Sequence, residues 1–161
     1  MRIRSADLRD AEAIAGIYNP EVLETTATFD LEPRSLEQQV TWLQERSGAH
    51  LVLVAERDDV VVGFASLSPF RTRPAYATTV ESSVYVHRAH RGAGIAVSLM
   101  TELLEHARSH GFHTVIARIA DSQVASLQLH ERMGFELVGV EREVGRKFGR
   151  WLDVSVMQRL L

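Results

Sequence analysis

YVHRAHRGAGIAVSLM, residues 85–100, joins a β-rich run to a strongly helical one and places two glycines and several basic side chains at the join. A strand, then Arg91-Gly92-Ala93-Gly94, then a helix has the parts of an anion site. The first N–H groups of a helix lack intrahelical partners, and the helix dipole adds positive potential there. Glycines let a ligand approach the backbone, and Arg91, with Arg88 nearby, brings full charge. The plainer alternative is a strand-to-helix turn with solvated arginines. A Walker A loop needs Gly-Lys-Ser/Thr, but Gly94 is followed by Ile95-Ala96. The dinucleotide fingerprint needs a third glycine where Val97 stands, and it opens the first βαβ unit, whereas this turn lies past mid-chain. Nicotinamide dinucleotides and nucleoside triphosphates are therefore disfavoured.

Working outward, TTVESSVYV before the turn alternates as a strand, with Val80, Ser82, Val84 and Val86 on one face and Thr79, Glu81, Ser83 and Tyr85 on the other. LVLVAE and VVVGFASL, joined by Arg-Asp-Asp, read as a hairpin. After the turn, Ala96, Leu99, Met100, Leu103 and Ala107 keep helical spacing up to a stop at Gly111. HTVIARI is a strand, SQVASLQLHERMGF a short helix ended by Gly134, and FELVGVERE and WLDVSVMQRL are strands. Upstream, RIR is strand-like. Asp7 is an N-cap for a helix burying Leu8, Ala11, Ile14, Ala15, Ile17 and Tyr18. NPEVLETTATFDLEP breaks that pattern and reads as a loop with room for a short helix. Ser35 and Gln38 form a capping box ahead of a Leu36, Val40, Leu43 stripe, with Gly48 as its close. The order is β-α-(α)-β-β-β-α-β-α-β-β. The fold class is α/β with a mixed, twisted, mostly antiparallel sheet, a central parallel pair and helices on both faces.

The chain has 161 residues, which suits a single domain spanning 1–161, and 45% of them are hydrophobic. A net charge of −3 argues against a general nucleic-acid binder. There is no cysteine, so disulfides and thiolate metal sites are excluded. No apolar run reaches the roughly 18 residues of a membrane span, and MRIRSADLRDAE lacks the apolar core of a signal peptide. The expectation is a cytoplasmic protein without membrane contact.

Arg91-Gly92-Ala93-Gly94-Ile95-Ala96 resembles the R/Q-x-x-G-x-G/A signature of the GNAT superfamily of N-acetyltransferases, and the element order resembles the GNAT fold over nearly the whole chain. IYNPEVLETTATFDLEPRS, TVESSVYVHRAHRGAGIA, LQLHERMGF and EVGRKFGRWLDVSVMQRLL resemble the phosphinothricin and methionine sulfoximine acetyltransferases, from about Ile3 to Leu161. The resemblance implies acetyl-CoA as cosubstrate, with its pyrophosphate at Arg91–Ala96 and its pantetheine arm along Val84, Tyr85 and Val86. It implies Glu81 as a base, directly or through water, and His130 as a proton carrier where many GNAT enzymes have tyrosine. Relatives commonly have Asn-Ala-Ala-Ser on the next helix. Here Gln123-Val124-Ala125-Ser126 offers Gln123 and Ser126 to the cofactor, with an amide one methylene longer.

An amino acid analogue with a compact oxyanion needs cations and apolar walls. Arg71 and Arg73 lead into Glu81, and Tyr76 and Phe29 are candidate walls, Phe29 lying in a loop the family uses near its substrate. His106 and His110 are spaced as a metal pair, but Ala107 stands where the HExxH motif has glutamate, and no metal is expected. EREVGRKFGRW is basic and aromatic, but acids interrupt it; homodimer contact fits it better than nucleic acid. The leading expectation is acetyl transfer to the α-amino group of a small amino acid analogue. Another amine, such as an ordinary amino acid or a protein N-terminus, or a non-catalytic acyl-CoA-binding module, are the alternatives.

Overall fold

The computed structural model describes all residues, Met1–Leu161. In chain order the elements are β1 (Arg2–Ser5), α1 (Ala11–Glu24), α2 (Leu36–Gln44), β2 (Val52–Arg57), β3 (Val60–Pro69), β4 (Thr79–Val86), α3 (Ile95–Ser109), β5 (Thr114–Ala120), α4 (Val124–Arg132), β6 (Glu136–Lys147) and β7 (Arg150–Leu160). The seven strands form one sheet in the order β1-β2-β3-β4-β5-β7-β6. Only β4 and β5 pair in parallel, because α3 carries the chain back across the sheet between them. The expected class and order are therefore found, and no helix is long and apolar enough to cross a membrane.

Each sheet face has its own core. On one, Ile95, Leu99, Met100, Leu103 and Ala107 of α3 and Leu129 of α4 pack on Val62, Ala65, Leu67, Val80, Val115 and Met157. On the other, Ile14, Ile17, Tyr18 and Val22 of α1 and Leu43 of α2 pack on Val52, Val54 and Phe64. Each fully buried Leu, Ile or Met contributes on the order of 1.5–3 kcal/mol. These two stripes hold α3 and α1 on opposite sides of β4.

Local signals account for most boundaries. Ser35 and Gln38 form the expected capping box at α2. Asp7 and Asp10 form another, at a 3-10 turn over Leu8–Asp10 that precedes α1. Asp58 and Asp59, both at positive φ, make the β2–β3 turn. Gly111 and Gly134, also at positive φ, follow the C-caps of α3 and α4. Three expectations are corrected. First, α1 continues through Pro20 to Glu24, because Glu21 and Val22 are buried and their contacts outweigh a cost of about 3 kcal/mol for an interior proline. Second, Leu8 and Leu36 are exposed, while Gln39 is fully buried in the stripe beside Leu43. Third, α2 ends at Gln44, ahead of Gly48.

Candidate active site

The site is a split in the sheet. β4 and β5 pair only from Thr79–Ser82 against Thr114–Ala117, although β4 runs on beside β3 to Val86 and β5 beside β7 to Ala120. Beyond Ser82 and Ala117 each strand keeps an edge without a sheet partner. His87 N–H donates to Val62 O at 2.9 Å. Backbone groups alternate sides along a strand, so those of Val84 and Val86 turn from β3 toward the gap. A cleft of about 570 Å³ opens there, lined by Ser82, Val84 and Val86 from one face of β4 and by Ser83 and Tyr85 from the other. Both faces reach it, so it is a slot through the sheet.

The turn Arg91–Gly94 and the start of α3 form one end of the slot. Gly92 and Gly94 have φ of 77° and 75°. The left-handed Gly94 is the α3 N-cap, and the first intrahelical bond runs from Ser98 N–H to Gly94 O. The preceding N–H groups of α3 lack intrahelical partners, and Gly92, Gly94, Ile95, Ala96 and Val97 all line the slot. No Cβ at Gly92 or Gly94 would meet anything within 4 Å. The glycines serve the backbone conformation and leave the cradle open to a diphosphate. Backbone donors at one end and unpaired strand amides at the other suit the pyrophosphate and pantetheine arm of acetyl-CoA.

Arg91 is less free than its motif suggests. Its Nη2 donates to Glu21 Oε1 at 2.8 Å and its Nε to Val86 O at 3.3 Å. Glu21 also accepts from Arg88 Nε at 3.1 Å. Burial alone would raise the Glu21 pKa, but the Arg88 hydrogen bond and the Arg91 charge hold it below its usual range. This carboxylate, 4% exposed on the slot wall, ties α1 to the turn. No local signal marks it in the sequence, because it lies 70 residues from Arg91 and just past Pro20.

His130 lines the slot from α4 and is 4% exposed. Its Nδ1 lies 2.8 Å from Ser126 O. A carbonyl only accepts, so Nδ1 carries the proton and the neutral ring has its lone pair on Nε2. Burial lowers its pKa below 6.5, which favours that neutral form. Gln123 and Ser126 also line the slot, with Gln123 Nε2 donating to Thr26 Oγ1 at 3.3 Å.

Glu81 stands on the other side of the sheet. It pairs with Ile116 one step before the split and shares a face with Ser83, Tyr85 and Arg118. Burial raises its pKa above 4.5, with Arg118 pulling the other way. Arg118, itself a slot residue, is ion-paired with Glu141 of β6. Tyr85 packs edge-on against Tyr18 at 5.1 Å, and burial pushes its phenol up to about 12.

Glu81 and the remaining candidates lie outside the slot lining. Arg71, Arg73 and Tyr76 border a shallow exposed pocket with Thr72. Arg71 stacks on Phe70 and Tyr76, at 4.8 and 5.4 Å from their ring centres, and its charge reaches Glu141. Phe29 sits in the loop after α1, whose Ala27 lines the slot. Ala93 lies between the two glycines with its side chain outside the lining. No group of three or more His, Asp or Glu side chains is arranged to hold a metal.

Residues 3–156 match the acetyltransferase (GNAT) domain. The chain is 41% identical to the L-amino acid N-acyltransferase MnaT of Escherichia coli, over 98% of this chain and 92% of that protein. It is 40% identical to the L-methionine sulfoximine/L-methionine sulfone acetyltransferase of Salmonella typhimurium, over 98% and 93%. Among solved structures, a ribosomal-protein-alanine N-acetyltransferase from Brucella melitensis superposes with a TM-score of 0.98 at 42% identity, covering 100% of both chains. A phosphinothricin acetyltransferase from Sinorhizobium meliloti in complex with acetyl-CoA gives 0.96 at 36% identity, covering 99% of this chain and 88% of that one.

Proposed function

This chain belongs to the GNAT acetyltransferases and uses acetyl-CoA, and we propose that its acceptor is the α-amino group of a small amino acid analogue of the methionine sulfone, methionine sulfoximine or phosphinothricin kind. The observation that carries this reading is the slot through the sheet. The α3 cradle and His130 line it from one side and Arg118 and Tyr85 from the other, with Glu81 one step below the split on that second face. An activated acyl group and an amine can meet there from opposite faces. The acceptor class comes from the relatives' substrates.

Acetyl-CoA supplies an acetyl thioester when bound. The unpaired N–H groups of Val84 and Val86 take the charge developing on the acetyl carbonyl oxygen, a role worth several kcal/mol in a preorganised site. Glu81 takes the ammonium proton through water, freeing the nitrogen lone pair for attack. Its raised pKa brings it nearer the operating pH, where a base works best. The new N–C bond forms as the C–S bond breaks, and the thiolate leaves with the sulfur's electron pair. His130, with Nε2 unprotonated, is a second acceptor that takes one of the two protons left on the nitrogen and passes it to the thiolate, and the amide keeps the other. Arg71, which makes no salt bridge, offers the acceptor face a guanidinium for a carboxylate or phosphinate.

The β6 edge completes the proposal. Leu137, Val138, Val140 and Val144 of β6, with Phe148 and Trp151 beside them, are exposed on an unpaired edge strand. Such an edge invites pairing unless covered, and we place a second copy of this chain there.

The test is thiol release from acetyl-CoA against methionine sulfone, methionine sulfoximine, phosphinothricin, methionine and an alanine-ended peptide. Turnover with the first three, and an acetyl group on the α-nitrogen of the product, is expected. Turnover with the peptide alone would favour a protein N-terminus, the acceptor suggested by the Brucella melitensis relative's name. Acetyl-CoA binding with no turnover would leave a binding module.

A further inference from the structure

Phe29 touches β6 in an unusual way. A Cβ built on Gly145 would lie 2.3 Å from Phe29 Cε2, 2.5 Å from Cζ and 2.9 Å from Cδ2. The aromatic ring occupies the place where any other residue at 145 would carry its first side-chain atom. Two residues on, Lys147 Nζ donates to Thr28 O at 2.9 Å, although Lys147 is only 4% exposed. This ammonium makes no salt bridge and spends one of its three protons on that carbonyl.

The same loop is held at two further points. Tyr18 Oη is 2.7 Å from Thr28 Oγ1 and donates to Asp30 Oδ2 at 2.6 Å. Thr26 Oγ1 donates to Asp121 Oδ2 at 2.8 Å, beside Gln123 at the slot. Thr26–Asp30 thus spans from the slot wall at Ala27 to the far end of β6, where the Phe29 ring lies against Gly145. Phe29 is itself 38% exposed, so its ring has room to swing if its seat is filled.

We propose that Gly145 and Lys147 form the seat of the Thr26–Asp30 loop, fixing where the Phe29 ring stands beside the acceptor end of the slot and so which acceptor amines fit. The inference rests on the acetyltransferase reading above for its acceptor half. Gly145 supplies a bare backbone on which the ring lies flat. Lys147 anchors the preceding residue's carbonyl, so ring and backbone are fixed together. Both are positioning residues, since neither lines the slot.

Gly145→Ala tests this with little risk to the fold, because the clash is with the tip of a half-exposed ring and not with backbone. The expected result is an acceptor KM raised at least about fivefold with the acetyl-CoA KM within about twofold. Lys147→Met should show the same split. In a Phe29→Ala background, Gly145→Ala should have no further effect, because the ring it displaces is gone. Parallel changes in both KM values, or a full Gly145→Ala effect without the ring, would overturn the proposal. Hydrogen exchange over residues 25–31 reads the seat without any turnover. Faster exchange in both variants supports it, and unchanged exchange overturns it. A wild-type protein that acetylates no amine, with faster exchange in the variants, would overturn the acceptor half and the function reading together while leaving the seat itself standing.

Discussion

Replacing Gly94 by alanine isolates the backbone's contribution to the cofactor cradle. The residue has φ 75° and ψ 4°, the left-handed region, and caps α3. Nothing lies within 4 Å of the added Cβ, so the change introduces no clash. What remains is the conformational cost of a left-handed L-residue, roughly 1–2 kcal/mol. If the turn keeps its shape, that cost falls on folding, less the about 0.4–1 kcal/mol by which alanine narrows the unfolded chain. At about 2–4 °C per kcal/mol for a domain of this size, Tm should then fall by a few degrees. If the turn relaxes, the cost returns when acetyl-CoA requires the original shape, and Kd rises roughly 5- to 30-fold. Strain missing from Tm must therefore appear in Kd. Calorimetric titration with acetyl-CoA beside thermal unfolding reads both. A rise in the acceptor KM with Tm and the acetyl-CoA Kd unchanged would refute the assignment of this turn to the cofactor.

Four further outcomes are expected. Turnover should fall on the acid side as His130 takes a proton on Nε2, at a pKa that burial lowers below 6.5, and as Glu81 takes one, at a pKa that burial raises above 4.5. Stability should follow the same sign: the unfolded chain binds the His130 proton more readily, so the contribution is full above 6.5 and is lost as pH falls through the lower folded value. His130→Gln should flatten that part of the Tm profile, and an unaltered profile would contradict it. Arg71→Ala should raise the acceptor KM more than Arg73→Ala, because only Arg71 is held by Phe70 and Tyr76 with its charge at Glu141; equal effects would remove that distinction. Trp151→Asp, on the exposed β6–β7 face, should shift the sedimentation of a dimer to that of a monomer, and a monomeric wild type would refute the second copy.

The fold was legible because its signals are local. Period-2 runs, the Gly92–Gly94 turn, Asp58-Asp59 and the Ser35–Gln38 box each act within a few residues, and each sits where its chemistry requires. The glycine turn was legible for the same reason, since its left-handed backbone needs only a short stretch of chain. The long-range ties that hold the turn and the Thr26–Asp30 loop were not. Glu21 meets Arg91 across 70 residues, Thr26 meets Asp121 across 95, and Lys147 meets Thr28 across 119. None of these pairs leaves a periodic or spaced pattern in the sequence. α1 outruns its sequence pattern for a related reason: Pro20 is a true local break signal, overridden by the burial of Glu21 and Val22.

The division of labour across the slot meets its most direct test in Glu81→Gln. The amide keeps the shape of the side chain and removes its capacity to take a proton. Glu81 lies outside the slot lining, so kcat should fall by roughly 10²–10⁴ with the acetyl-CoA Kd within about twofold of wild type. An unchanged kcat would contradict Glu81 as the base, and a loss of acetyl-CoA affinity equal to the loss of rate would contradict its placement on the acceptor side.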